Sequence, residues 1–551
     1  MKKYLVLLLL LIPSFAFAAD IDCDSTTLQS AIDAASDGGT ITCKAGAFSW
    51  TGNVTVPDTK GLKLVGAGTS LDTGTVITLN GAYALTVETS STNSQVTISN
   101  FRFIKTEATV LGMIKMRGDA TNWRIHSNYF DKQLKAGHAI SITGYNYGLI
   151  DNNTFTNLTS NTIGVEWALN ASDKGAFVWA KSDMFSATGD AKAVYVENNT
   201  FLSATKAAEA LTGRGGSKVV WRYNDLHNVQ TSSHSGCTGG YMNSLWHEVY
   251  KNNVFTDSNY SAYGGASTIR LRSLSAVVWS NQSTSTIPYF TIGIDNERSW
   301  RTDCADTYYH MNRICDGSQT WDENVTGQSG WRCFGQPGWS APQVADMTAA
   351  TFRGTFAWDN TNNGTAVNLR IDNSTAGASS THLKFGRELF NTANMTVGGA
   401  KPETCTYNAS TLYRDIYIDT TNSVKPVIWQ CSATNTWTQH WTPYTCPHPL
   451  AGAGECTTAA GTGGYLLGGE PPIYTATSSV VSLTGGTVSG AQSVESGSTA
   501  TFTNEPFNGW KFKAWAGTCG CTGTGACAPT ITADCTVTAE FEQIYLNTFC
   551  R

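Results

Sequence analysis

A short pattern of alternating apolar residues, followed by Asn and then an aromatic or aliphatic residue two positions later, recurs between Val96 and Asn281. The spacings of the recurring asparagines are 25, 46, 25, 29 and 28 residues, which indicates a repeat architecture. The gap of 46 predicts two coils, one of which lacks its Asn. These asparagines are Asn128, Asn153, Asn199, Asn224, Asn253 and Asn281.

Alternation with a period of two residues predicts one short β-strand in each repeat. Such a strand buries its apolar face only when successive coils stack, which predicts one continuous core containing Ile125, Ile150, Val196, Val220 and Val249. Stacked Asn side chains can bond one another and the backbone, and Asn tolerates the left-handed conformation that a sharp corner needs. We therefore expect an all-β fold, a right-handed parallel β-helix or solenoid. The alternative is that Asn only marks ordinary β-turns.

The segment before the first coil has helical spacing. Between Thr27 and Ala35 the apolar residues recur every three or four positions, and Asp37-Gly38-Gly39 is expected to end the helix. A short N-terminal capping helix here would cover the open end of the hydrophobic core.

The first 18 residues have the features of a secretory signal peptide. A basic start, Lys2-Lys3, precedes the apolar run Tyr4–Ile12, and Ala16-Phe17-Ala18 has the form of a cleavage site. Cleavage after Ala18 leaves 533 residues (551 minus 18) and changes the formal charge from −6 to −8. An acidic chain is not expected to bind nucleic acid. We expect a secreted or cell-surface protein without a transmembrane segment.

The 15 Cys of an exported chain are expected to form mostly disulfides, with at least one Cys left over or paired between chains. Cys23 and Cys43 bracket the first amphipathic segment and could be joined. Sequence alone leaves the pairing and the oligomeric state open.

The segment Leu28–Gly46, with Asp37-Gly38-Gly39 before Thr40-Ile-Thr-Cys43, resembles the N-terminal segment of the pectate-lyase-like β-helix superfamily. The repeated Asn phrases resemble its coils, so the resemblance covers residues 20–450. It implies a secreted protein that cuts or binds polysaccharide, although the superfamily also includes adhesins. Two Cys- and Trp-rich segments, 294–340 and 401–446, interrupt the repeats as excursions.

A second, small β domain is expected at the C-terminal end. Residues 451–477 read as a linker, residues 478–543 resemble the divergent internalin-type bacterial repeat, and residues 544–551 form a tail. The expected disulfides of this short module involve Cys519, Cys521, Cys527 and Cys535.

Cations recur one strand upstream of the Asn positions. Their alternation with apolar residues predicts that they share the outer face of the helix, where a basic strip would suit a uronic-acid polymer. The alternative is solvated surface charge. The predicted substrate-binding residues are Lys115, Arg117, Arg214 and Arg270, with Arg272 as a catalytic candidate.

A second candidate cluster surrounds the loop Gly236–Gly240. His is a general-base candidate, and long loops between coils often form the walls of a groove. The alternative for each His is a hydrogen-bonded structural role. The cluster contains Asp225, His227, His234, His247 and Glu248.

Motifs expected of known β-helix enzymes are missing. The sequence lacks the Arg-x-Pro-x-x-Arg motif of pectate lyases, and no carboxylate pair repeats at coil spacing as a glycosidase would need. Asp316, Asp322 and Glu323 could bind Ca²⁺ through their carboxylate oxygens. The alternative is that these acidic loop residues are simply solvated. We expect a protein that binds an acidic polysaccharide, with cleavage by β-elimination or hydrolysis left open. The alternative is a non-catalytic adhesin or scaffold.

Overall fold

A computed structural model describes residues 20–107, 112–119, 121–159, 161–166, 191–203, 208–214, 217–232, 246–251, 254–256, 268–272, 275–283, 291–295, 339–340, 351–371, 383–452, 473–481, 485–489, 492–495, 499–531 and 535–544. The chain divides into two compact units, one reaching Leu450 and the other containing the strands from Ile473 onward.

The first unit is a parallel β-helix, as the sequence predicts. Its strands, numbered along the chain, return to three long sheets in turn. Sheet I contains β1 (Thr40–Thr42), β4 (Lys63–Val65), β7 (Thr97–Ser99), β10 (Trp123–His126), β13 (Gly148–Asp151), β16 (Val194–Glu197), β19 (Lys218–Arg222), β22 (Trp246–Lys251), β25 (Ser275–Trp279), β30 (Thr355–Trp358) and β34 (Leu389–Phe390).

Sheets II and III follow sheet I in every complete coil. Sheet II contains β2 (Gly46–Trp50), β5 (Thr75–Leu79), β8 (Phe101–Lys105), β11 (Tyr129–Asp131), β14 (Thr154–Thr156), β17 (Thr200–Leu202), β20 (Asp225–His227), β23 (Val254–Thr256), β26 (Gln282–Ser283), β31 (Thr361–Asn362) and β32 (Thr365–Ala366). Sheet III contains β3 (Val54–Val56), β6 (Leu85–Thr89), β9 (Ile114–Gly118), β12 (Ile140–Thr143), β15 (Ile163–Glu166), β18 (Ala208–Arg214), β21 (Val229–Ser232), β24 (Ile269–Arg272), β27 (Ile292–Asp295) and β33 (Leu369–Ile371).

The predicted Asn ladder stands at the corner between sheets I and II. The backbone N–H and Nδ2 of Asn128 both donate to Oδ1 of Asn153, at 3.0 and 3.1 Å. Asn153 donates in the same way to Asn199, and Asn199 to Asn224. Each ladder amide therefore satisfies its neighbour and the polypeptide backbone inside the protein. Asn253 lies outside the described residues.

Two expectations about this ladder are wrong. Asn153 contacts Asn199 directly and β13 pairs with β16, so the gap of 46 residues is one coil with an inserted segment. At the described corners the left-handed conformation belongs to the residue before the ladder Asn, with φ of 54° at Ser127, 53° at Asn152 and Asn198, and 59° at Tyr223. An Asn therefore takes it at two corners, but that Asn is not the ladder residue. The ladder Asn instead fixes the corner by donating and accepting hydrogen bonds.

Aromatic rings stack through the interior along sheet II. The centroid distances are 5.4 Å from Phe103 to Phe130, 4.9 Å from Phe130 to Phe155 and 4.7 Å from Phe155 to Phe201. Phe130, Phe155 and Phe201 each lie two positions after a ladder Asn, so the aromatic part of the repeated phrase forms the core. Phe103 lies two positions after Phe101, whose backbone N–H donates to Oδ1 of Asn128.

The predicted core of sheet I needs one correction. Ile125, Ile150 and Val196 are in register and buried, but Val196 pairs with Trp221, while Val220 pairs with Tyr195 in the outward row. Counting three residues back from each ladder Asn gives Trp221, which lies in the core cluster. The side chain of Val249 lies outside the described set.

The capping helix is present as α1 (Ser25–Ala34). Asp24 caps its first turn by accepting hydrogen bonds from the backbone N–H groups of Thr26 and Thr27. Leu28 and Ile32 are buried in the core cluster of the coils. The helix ends at Ala34 with Ala35 in an extended conformation, earlier than the predicted Asp-Gly-Gly stop. The Cys23–Cys43 disulfide joins this region to the first coil.

After the last coil, the chain forms sheet IV from β35 (Thr396–Gly398), β36 (Ile416–Asp419), β37 (Val427–Ala433) and β38 (Thr436–Trp441). The Cys405–Cys431 disulfide joins the connection between β35 and β36 to β37, as expected for this Cys-rich segment. The earlier predicted excursion lies mostly outside the described residues, apart from β28 (Trp339–Ser340), which pairs with β29 (Thr351–Phe352).

The second unit is a small β domain. Its strands are β39 (Ile473–Val480), β40 (Gly486–Ser489), β41 (Gln492–Glu495), β42 (Thr503–Pro506), β43 (Trp510–Gly517) and β44 (Cys535–Gln543). The predicted disulfide bonding of this module is confirmed, with the pairs Cys519–Cys535 and Cys521–Cys527.

No helix within the described part of the chain is long and apolar enough to cross a membrane. The predicted signal peptide lies outside the described residues. The disulfides are consistent with an extracellular protein.

Candidate functional site on the outer face of sheet III

Two rows of residues follow the outward positions of sheet III. The pleat that turns Met116, Ile142 and Val165 into the core turns the residues between them outward. The first row contains Thr86, Lys115, Ser141, Gly164, Thr212, Ser232, Arg270, Gly293 and Arg370. The second row, two residues further along each strand, contains Glu88, Arg117, Thr143, Glu166 and Arg214, and later Arg272 opposite Asp295.

Lys115 and Arg117 present the open cationic part of these rows. Burial, and secondarily the nearby Arg117, lowers the pKa of Lys115. Arg117 Nη1 lies 3.1 Å from Glu88 Oε1, and its side chain is 50% exposed. An ion pair this exposed is weak, so the guanidinium can exchange Glu88 for an anionic ligand.

Arg214, Arg270 and Arg272 belong to the same sheet but differ in setting. Arg270 occupies the row of Lys115, five strands away, which corresponds to roughly 24 Å at ordinary strand spacing. Arg270 is only 9% exposed. By backbone register Arg214 pairs with Glu166 and Arg272 with Asp295. Acidic positions therefore alternate with basic ones in the second row, and the predicted strip of cations is not continuous.

His138, which the sequence analysis did not select, lies on the first row. A β-carbon built on Gly164 would stand 2.5 Å from Cε1 and 2.7 Å from Nε2 of His138. The imidazole thus fills the place of the side chain that Gly164 lacks. The sequence signal for this contact is a His shortly before one strand and a Gly within the neighbouring strand. It can be recognised only when the register between the two strands is known.

His227 and Asp225 lie together on sheet II. Nε2 of His227 is 3.0 Å from Oδ2 of Asp225, and both side chains are about one-third exposed. They are outward residues of one strand, so their contact is local. A carboxylate bonded to imidazole can orient it for proton transfer.

The predicted catalytic set is divided among the three sheets. Asp225 and His227 belong to sheet II, Glu248 and His247 to β22 of sheet I, and Arg272 to β24 of sheet III. The corners between the sheets turn the chain, so strands of different sheets face different directions. By strand placement, Asp225 and His227 lie on a different sheet from Arg272. His234 lies outside the described residues.

A buried ionic cluster that no sequence pattern predicted lies on the outer face of sheet I. In consecutive strands His126, Asp151, Glu197 and Arg222 share one row. Arg124 Nε and Nη2 donate to the two oxygens of Asp151 at 2.9 and 2.7 Å. Burial raises the pKa of Asp151, an effect that the Arg124 hydrogen bonds oppose.

The terminal segment of the first unit, Thr442–Leu450, covers this cluster. Arg222 Nε donates to Glu197 Oε1 at 2.6 Å, and Arg222 Nη2 donates to the carbonyl of Thr445 at 2.7 Å. The backbone N–H of His448 donates to Glu197 Oε2 at 3.3 Å, and its ring packs 4.6 Å from that of Tyr195. Since these groups are buried and paired, the cluster holds the terminal segment against the coils.

No group of three or more His, Cys, Asp or Glu side chains arranged to hold a metal ion occurs among the described residues. The predicted Ca²⁺ candidates Asp316, Asp322 and Glu323 lie outside that part of the chain.

Residues 474–545 match the family model of the divergent InlB B-repeat domain. The match covers the strands of the second unit and agrees with the sequence prediction for that module. No curated protein matches the chain, and no solved structure matches it.

Proposed function

We propose that the β-helix binds an extracellular acidic polysaccharide along the outer face of sheet III. The observation that carries this proposal is the placement of Lys115 and Arg117 in adjacent outward rows of one regular sheet. A straight face with a repeat of about 4.8 Å suits a linear polymer better than a small molecule. The resemblance of residues 20–450 to the pectate-lyase-like superfamily points to the same class of ligand.

Charge and geometry explain the preference for an acidic chain. Arg117 presents a planar fork that matches a carboxylate, and Lys115 presents a point charge from a partly buried stem. The formal charge of the whole chain is −6, so attraction to a polyanion must come from this local surface. Binding by these residues should weaken with salt, because exposed charges are screened.

Export to the cell exterior belongs to the same proposal. The basic and apolar start of the chain and the disulfides of both units favour an oxidising, extracellular location.

Cleavage of the polymer would need acid–base chemistry beside the bound chain. β-Elimination needs a base beside the proton next to the carboxylate, and hydrolysis needs an acid and a base. His227 with Asp225 is the described pair with that chemistry, but it belongs to sheet II. The described residues therefore place this acid–base pair on sheet II and the open cations Lys115 and Arg117 on sheet III.

A non-catalytic surface protein is the second candidate. The specific observation in its favour is the match of residues 474–545 to the divergent InlB B-repeat domain, because such appended modules extend or attach other domains. In this version the β-helix binds polysaccharide without altering it.

The test uses the full mature chain with polygalacturonate, alginate and hyaluronan, and with dextran as a neutral polymer. Binding is measured beside near-ultraviolet absorbance for unsaturated uronate and beside a reducing-sugar assay. Binding of an acidic polymer that is lost in Lys115→Ala/Arg117→Ala supports the proposal. Product in either assay would show that the protein also cleaves the polymer. Binding without product in either assay favours the non-catalytic surface protein. Equal affinity for dextran would contradict the proposal.

A further inference from the structure

The imidazole of His138 is built into the outer face of sheet III by the absence of a side chain at Gly164. Any β-carbon at residue 164 would overlap the ring, at 2.5 to 2.8 Å from three of its atoms. Gly164 has no positive φ that would demand glycine, so the space for the ring is the steric reason for this residue. His138 itself is partly exposed.

The ring joins an existing row of polar groups. Lys115, Ser141 and Gly164 are in register on the adjacent strands β9, β12 and β15. At ordinary strand spacing, the imidazole on Gly164 stands roughly 10 Å from the backbone of Lys115, with Ser141 between them. Lys115 has a flexible four-carbon stem that can cover much of this distance.

We propose that Lys115, Ser141 and His138 form a subsite for one acidic sugar residue. This inference rests on the proposed function. The ammonium group of Lys115 receives the carboxylate, and the Ser141 hydroxyl lies on the floor of the subsite. Nε2 of His138 bonds a sugar hydroxyl, since Nδ1 of the same ring is buried. Arg117, held by Glu88 at 3.1 Å, borders the same position in the second row.

The subsite combines a charge, a hydroxyl and an aromatic ring within three strands. A bare cationic strip recognises only the charge of a polymer, whereas hydrogen bonds to hydroxyls discriminate among sugars. The subsite would therefore select a uronate over a sulfated or phosphorylated chain of equal charge. An imidazole that only packs on Gly164 would have no such effect.

The experiment measures the affinity of the full mature chain for hexagalacturonate and for a hyaluronan hexasaccharide by calorimetry, with pentaphosphate as a non-sugar anion. His138→Ala removes the ring, and Gly164→Ala displaces it while keeping it. Gly52→Ala is the matched control, because its β-carbon would meet only the Ser25 hydroxyl at 3.9 Å. Thermal melting confirms that each variant is folded.

We expect His138→Ala and Gly164→Ala to lower the affinity for the better hexasaccharide about tenfold, the scale of one hydrogen bond to a charged or polar ligand. Gly52→Ala should leave it unchanged, and pentaphosphate binding should be unaffected in all three. If Gly164→Ala does not fold, His138→Ala alone decides. Unchanged affinity in His138→Ala overturns the subsite while leaving polysaccharide binding intact. Absence of binding by the wild-type chain overturns both.

Discussion

Asn153 donates a hydrogen bond from Nδ2 to Oδ1 of Asn199 at 3.0 Å, although 46 residues separate them along the chain. The same Nδ2 also donates to the carbonyls of Ile125 and Asp151, at 2.9 Å each. One buried side chain thus ties together three consecutive coils. The segment inserted between these two asparagines does not alter the corner.

Asn153→Ala should therefore destabilise the β-helix strongly. The change leaves the carbonyls of Ile125 and Asp151 without this donor and removes the acceptor for Asn128, so a loss of about 2–4 kcal/mol is expected. Thermal or urea unfolding measures it. Asn80→Ala is the control, since its Oδ1 accepts only an exposed bond from Thr106. Equal effects of both variants would contradict a special role of the ladder.

Arg222→Met should destabilise the first unit by about 3–5 kcal/mol, because it leaves the buried carboxylate of Glu197 without its counter-charge. The double variant Arg222→Met/Glu197→Gln should recover part of the loss, since the uncompensated charge is then gone. Lys44→Met, at the exposed pair with Asp22, should cost less than 1 kcal/mol. Melting temperatures and a double-mutant cycle give these values. No recovery in the double variant would mean that Arg222 acts through its bonds to the terminal segment alone.

Acid should weaken the contact of the terminal segment through His448. Burial lowers the pKa of His448 to about 4, with Arg222 contributing and Glu197 opposing. A His pKa that is lower in the folded state gives stability that is present above pH 6.5 and lost as pH falls from 6.5 towards 4. The loss is on the order of 2–3 kcal/mol.

The measurement compares melting temperatures of wild type and His448→Asn between pH 7 and pH 4. The difference between the two proteins should narrow as pH falls, because only wild type carries the titrating ring. Carboxyl groups with raised pKa, such as Asp151, titrate in both proteins and largely cancel. His440, whose pKa burial also lowers to about 4, remains in both. A pH-independent difference would show that His448 does not contribute to the acid sensitivity.

The second unit should depend on its disulfides more than the first. Its buried cluster is small, and Cys519–Cys535 closes a loop with a sequence separation of 16 residues, worth about 3 kcal/mol. Cys519→Ser/Cys535→Ser should speed hydrogen exchange at Phe502, Trp515 and Val537. Exchange in the coils at Ile125 and Ile150 should not change. Equal protection of these amides from hydrogen exchange in the wild type and in the double Ser variant would contradict this prediction.

Much of the fold could be predicted from the sequence because each coil repeats the same chemistry. A strand, an Asn and an aromatic residue recur in order, so Asn128 and Phe130 identify the ladder and the core stack. The errors arose where the local pattern was ambiguous. Val220 and Trp221 are both apolar, and only their distance from Asn224 decides which of them faces the core.

The site could be predicted only in part, because function depends on register between coils. The outward position of Lys115 and Arg117 follows from alternation within one strand. The seating of His138 on Gly164 depends on which strands become neighbours, and the burial of Glu197 and Arg222 depends on a segment more than 200 residues away. No local pattern in the sequence reports such long-range contacts.

Charge reversal on two different sheets tests polysaccharide binding most directly. Lys115→Glu/Arg117→Glu inverts the open cations of sheet III, whereas Lys63→Glu inverts an exposed cation of sheet I. The account predicts that the sheet III variant loses binding to acidic polysaccharide by at least a factor of about 100, from two charge-assisted contacts, and that Lys63→Glu binds like wild type. Similar losses in both variants would show only a general effect of charge. Unchanged binding by the sheet III variant would contradict the account.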